Sequence, residues 1–94
     1  MSEREELAVW KYRMPDPGEK AWVWMPAGAR LLHVAMQSDE ITAWALVNPL
    51  APVARRTFAT VGTGHPVPAE TPEHVGTVLV GGFVWHVFAE PPAP

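Results

Sequence analysis

The stretch Val61-Gly62-Thr63-Gly64-His65-Pro66-Val67-Pro68 holds the residue types best able to do chemistry in this chain. Two glycines around a threonine let backbone N–H groups turn outward, and Pro66 and Pro68 stiffen the exit, so a concave anion site can form. Arg55 and Arg56 lie on the strand leading into this loop. Side chains alternate along a strand, so only one of the two can face a pocket built with the loop. The anion such a set suits is phosphate. Backbone groups of Gly62, Thr63 and Gly64, the His65 imidazole and one guanidinium would hold it, with an indole such as Trp10 or Trp24 stacked on an attached base. A plainer reading also stands, in which the glycines only make a rigid turn between strands. The Lys-Ser/Thr ending of a P-loop is absent.

Other chemistries find less support. His65, His74 and His86 fall in the second half of the chain with Glu70 and Glu73 nearby, but their spacing matches no zinc motif, so no metal and no cofactor are expected. Cysteine is absent, no Gly-x-Ser-x-Gly elbow occurs, and Thr63 with His65 is the one hydroxyl–imidazole pair worth naming. The expectation is a protein that is not an enzyme. Seven Lys+Arg against ten Asp+Glu leave a net charge of −3, which removes the broad positive surface that duplex DNA requires. Trp10 and Tyr12 share one strand face, as do Trp22 and Trp24; such pairs can stack nucleobases or simply pack across strands. Lys11 and Arg13 fall on the face opposite Trp10 and Tyr12, which separates basic from aromatic groups.

The elements that must position these residues are strands. Eleven Pro and seven Gly are spread along 94 residues and cut the chain into apolar runs of strand length. Strands are predicted at about Ala8–Arg13, Trp22–Met25, Arg30–Gln37, Ile41–Val47, Ala54–Val61, His74–Val80 and Phe83–Ala89. The fold class is all-β, a small antiparallel barrel or sandwich of six to seven strands. Ser38-Asp39-Glu40 and Gly81-Gly82 mark two hairpins. The expected core is Trp10, Leu32, Val34, Trp44, Leu46, Phe58, Val78 and Trp85. Phe83–Phe88 is apolar on both faces apart from His86, so it lies centrally between layers or under another copy of the chain. Residues 1–7 read as a flexible N-terminus, 8–90 as a single β domain and 91–94 as a Pro-rich tail, with Glu90–Pro94 unable to continue a ladder. No run reaches the roughly 20 apolar residues of a membrane span, and the acidic start lacks the features of a secretory signal, so a cytoplasmic location is expected.

Trp10-Lys11-Tyr12, Met25-Pro26-Ala27-Gly28-Ala29, Gln37, Trp44-Ala45-Leu46-Val47-Asn48-Pro49, Gly62-Thr63-Gly64-His65-Pro66, His74-Val75-Gly76-Thr77 and Val84-Trp85-His86-Val87-Phe88 follow one another along the chain. Together, from about Val9 to Glu90, they resemble a family of small uncharacterised proteins of bacteriophage and actinobacterial genomes, a domain of unknown function. The resemblance implies a phage or prophage origin, a small β fold and action in the host cell cytoplasm. The expected function is a non-catalytic binder that sequesters a phosphate-bearing nucleotide signal of host defence, through Arg55, Arg56, Gly62, Thr63, Gly64, His65, Trp10 and Trp24. The alternative is a structural or protein-interaction module, either a virion accessory or an inhibitor of a host protein, with no small-molecule ligand. A His-assisted phosphodiester hydrolase is a third reading. The chain is also expected to form a homo-oligomer, most simply a two-fold dimer, because so small a core leaves apolar surface to cover.

Overall fold

The computed structural model describes residues 6–93. The first five residues of the expected flexible N-terminus and Pro94 of the tail lie outside it. Seven strands follow one another without an intervening helix: β1 (Ala8–Arg13), β2 (Lys20–Pro26), β3 (Arg30–Gln37), β4 (Glu40–Val47), β5 (Val53–Gly62), β6 (Glu73–Val80) and β7 (Phe83–Ala89). They form two antiparallel sheets, β1-β4-β3 and β2-β5-β7-β6, so the all-β expectation resolves to a sandwich. No helix among the described residues is long and apolar enough to cross a membrane.

Local turn chemistry explains both predicted hairpins. Ser38 and Asp39 take positive φ (50° and 65°) and bring Gln37 opposite Glu40. Gly81 and Gly82 do the same at 58° and 85°, pairing Val80 with Phe83. Two consecutive left-handed residues make the tight turn whose twist matches the flanking strands.

The smaller sheet turns its faces in a way the sequence pattern does not announce. Ile41, Ala43, Ala45 and Val47 are the buried face of β4, and Trp44 and Leu46 point outward and are only half-buried, contrary to the expected core. Small alanines let the sheets approach, while Trp44 rests outside between its ladder partners Lys11 and His33, the His33 ring 6.2 Å away. On β3 the ladder slips between Leu31 and His33, leaving Leu32 as an extra residue. This bulge puts Leu31 and Val34 on the inner side and turns Leu32 out to 46% exposure. Trp10 does face inward, opposite Ala45, but it sits on an edge strand and is 42% exposed. Val34, Phe58 and Val78 are buried as expected, and Trp85 is half-buried against the core.

β7 lies between β5 and β6, which explains its two apolar faces; Val87 and Ala89 are fully buried on its inner side. Glu90 adds one more rung to this ladder, since its N–H donates to the Thr57 carbonyl (2.8 Å) and its carboxylate accepts from the Thr57 N–H (2.9 Å). The expected break therefore begins at Pro91, the first residue without an N–H.

The sheets come closest where β3 crosses β6, and a Cβ on Gly76 would meet the Val34 Cβ at 2.8 Å. Along the inner face of β2 the cover falls away toward the start of the strand, where Met25 is buried in the core and Val23 is half-buried. Ala21 belongs to the inner face, since its ladder partner Phe58 is fully buried, yet it is exposed. The larger sheet thus extends past the smaller one at the start of β2.

The Tyr12 hydroxyl is buried with no hydrogen-bond partner among the described residues, and this burial pushes its pKa above the ordinary value. Tyr12→Phe should raise stability by about 1 kcal/mol in urea unfolding, because an unsatisfied donor is removed at little cost in volume. Burial disfavours the phenolate, so the folded state loses stability as pH rises above about 10, and the variant should lack that loss. A Tyr12→Phe protein less stable than its parent at neutral pH would overturn this account.

Candidate functional site

β5 carries most of the predicted site residues, and its length separates them. Arg55 lies near its start and Gly62 at its end, seven residues or about 23 Å of extended chain apart. The expected single pocket of arginine, loop and indole does not assemble, and its members fall into three places.

Arg55 and Trp24 come together on the outer face of the larger sheet, where they are ladder partners. The Arg55 guanidinium stacks 3.8 Å from the centroid of Trp22, and both Trp22 and Trp24 are 62% exposed. This is a cation on an aromatic pair, open to solvent.

Arg56 points the other way and is buried. Its Nε donates to the Glu90 carbonyl (2.6 Å) and its Nη1 to the Ala29 carbonyl (2.8 Å), while Nη2 lies 3.6 Å from Glu73. Burial lowers its pKa, and Glu73 and Glu90 partly offset that. The guanidinium thus fastens the β2–β3 turn and the end of β7 to β5 through two of its five N–H groups and pairs its charge with Glu73, a structural task. Beside it Gly28, Arg30, His74 and Pro92 help line an open cleft of about 280 Å³.

Gly62, Thr63 and His65 line a second, larger groove of about 540 Å³, together with Gly82, Phe83, Val84 and Trp85. Gly62 is required by close packing, because a Cβ there would meet the His65 Nδ1 at 3.0 Å and the Trp85 ring at 3.2 Å. Gly64 is required by its φ of 88°. The His65 N–H is spent on the Gly62 carbonyl (3.0 Å), so the loop closes on itself and presents fewer outward amides than an anion nest needs. Phe83 and Trp85 share the inner face of β7 with Val87 and Ala89, and Phe83 is 71% exposed at the hairpin. The groove is therefore the end of the larger sheet's inner face. Sequence reasoning missed Phe83, Val84 and Trp85 as lining residues; the available signal was a strand apolar on both faces beginning at the Gly-Gly turn. Trp10 stands apart from all three places, on β1 of the other sheet.

The Thr63 hydroxyl pairs with His86 rather than with His65. A chain of hydrogen bonds runs along the outer face from Thr63 Oγ1 to His86 Nε2 (2.8 Å), from His86 Nδ1 to Thr77 Oγ1 (3.0 Å), and on to His74 Nε2 (3.0 Å). It satisfies both nitrogens of His86 across β6 and β7. Among the described residues no group of three or more His, Asp or Glu is placed to hold a metal ion.

The profile of a domain of unknown function, DUF7352, matches residues 6–94. The chain belongs to that family. The match covers all seven strands of the sandwich, so the DUF7352 domain and the β sandwich are one unit. No curated protein and no solved structure matches the chain.

Proposed function

We propose that this DUF7352 domain is a non-catalytic interaction module whose groove, between the Gly62–His65 loop and the Gly81-Gly82 hairpin, takes an apolar or aromatic side chain of a partner protein. The observation that carries this reading is the lining. Phe83, Val84 and Trp85 supply apolar wall, His65 and Thr63 supply a few polar groups at the rim, and no Lys or Arg is among the lining residues. A concave site of this composition favours flat apolar groups over phosphate. The motif resemblance supplies the wider setting, a phage-derived protein that acts on a host protein in the cytoplasm or serves as a virion accessory.

The nucleotide-binder reading keeps one observation in its favour, the Arg55 guanidinium over Trp22 with Trp24 beside it, which together offer a stacking surface and a phosphate partner. The two readings separate in one NMR experiment on labelled protein, titrated with indole and, in parallel, with adenosine monophosphate. Indole should shift the resonances of His65, Phe83 and Trp85, and Phe83→Ser should abolish those shifts while leaving the melting temperature almost unchanged, since the ring is mostly solvated. Shifts confined to Arg55, Trp22 and Trp24 with the nucleotide, and none with indole, would replace the first reading with the second.

A further inference from the structure

We propose that two copies of this chain join through the free edge of β2, paired antiparallel about a two-fold axis at Val23, to give one continuous eight-stranded sheet. Among the described residues the β2 edge, Lys20–Pro26, is bonded to β5 on one side and to no strand on the other. Thr60 N–H bonds to the Glu19 carbonyl and Ala27 N–H to the Pro52 carbonyl, so odd-numbered residues point their backbone groups at β5. Even-numbered residues then point theirs outward. The N–H and C=O groups of Trp22 and Trp24 are accordingly presented at the free edge, and among the described residues neither bonds to any turn or loop.

A partner strand centred on Val23 meets this edge in register with itself. Trp22 falls opposite the partner's Trp24, and Trp24 opposite the partner's Trp22. Both are edge-facing positions, so each pair exchanges two backbone hydrogen bonds. Val23 meets its own copy as the non-bonded pair between them. The four indoles then lie together on the outer face as cross-strand aromatic pairs, and the half-buried Val23 is covered on the inner face. No like charges are brought together: Lys20 falls opposite Pro26 and is held aside by Glu70 at 2.7 Å.

The other edges are blunted in the ways that prevent such pairing. β3 is bulged at Leu32, and β6 carries a bulge between His74 and Gly76. β1 places Lys11 and Arg13 along its edge. β2 has no bulge and presents an uncharged, proline-free run, Ala21–Met25, with Trp22 and Trp24 exposed on the outer face and Ala21 exposed on the inner one. Where β2 overhangs its sandwich, at its start, apolar surface and ladder groups are left uncovered together, and a second copy covers both.

This inference concerns a surface separate from the groove and does not rest on the reading given for it. Sedimentation of the full chain at micromolar to 100 micromolar concentration should give a particle of twice 10.3 kDa. Trp22→Pro removes an outward N–H without touching the β5 ladder and should weaken association by about tenfold or more. The register has its own test, because the chain contains no cysteine. Val23→Cys should oxidise to a single intermolecular disulfide, its Cα lying about 4.5 Å from its copy in a non-bonded pair. Ala21→Cys, displaced from its copy by four residues or about 13 Å, should not. A particle of 10.3 kDa throughout that range, equal cross-linking of the two cysteine variants, or a dimer undisturbed by Trp22→Pro would each overturn the proposal.

Discussion

Arg56→Ala is expected to lower the free energy of unfolding by about 2–4 kcal/mol, which is a large share of what a domain of this size possesses. The loss follows from what the guanidinium joins. Two backbone carbonyls, those of Ala29 and Glu90, accept its hydrogen bonds, the first in a buried setting and the second in a partly buried one, and Ala29 is itself 2% exposed, so truncation takes the donor from a largely desolvated oxygen. Lysine cannot reproduce the arrangement, since a single ammonium lacks the planar fork that reaches both carbonyls; Arg56→Lys should recover only part of the loss. Arg55→Ala is the comparison. It gives up one solvent-exposed contact over Trp22 and should cost about 0.5–1 kcal/mol. Urea unfolding followed by circular dichroism reads all three variants, and equal stability of Arg55→Ala and Arg56→Ala would contradict the assigned division of labour. The result bears directly on function. Binding lost in an Arg56 variant reports a loosened fold, whereas binding lost in an Arg55 variant at unchanged stability reports a contact.

Phe58→Ala should cost about 3–5 kcal/mol and lower the melting temperature by roughly 15 °C or more. The Phe58 side chain is fully buried at the centre of the inner face, and its two ladder partners are small, Ala21 on β2 and Ala89 on β7. The ring fills space that neither neighbour can reclaim, so the cavity left by truncation stays open. It also lies 5.7 Å from the Arg56 guanidinium, so the double variant should lose less than the two single losses added together. Phe58→Leu retains most of the volume and should cost under about 1.5 kcal/mol. Calorimetry decides the point: a Phe58→Ala protein melting within a few degrees of its parent would mean that the core is organised elsewhere.

What the sequence determined by itself about this protein is the part written in neighbouring residues. Pro and Gly limited every apolar run to strand length, and Ser38-Asp39 and Gly81-Gly82 dictated tight turns, because a positive φ is a local property of the residue that adopts it. Seven strands and two hairpins were legible for that reason, and so was Val34, Phe58 or Val78 as core. The facing of β4 was not, because which side of a strand is buried depends on what lies across from it: Ala43 and Ala45 admit the second sheet, and Trp44 is pushed out beside His33. Nor was the bulge at Leu32, which resets the alternation of β3 by one residue without any glycine to mark it. For the candidate site, the loop at Gly62–His65 was recognisable as unusual, but its partners were decided by the order of strands. Antiparallel pairing of β5 with β7 set Trp85 opposite Gly62 and brought Phe83 and Val84 alongside, while the length of β5 carried Arg55 and Arg56 to the far end. Sequence distance had placed the arginines nearest the loop. Only the sheet could show that an extended strand keeps such neighbours apart and that residues some twenty positions later fill the groove instead, because ladder pairing ignores separation along the chain.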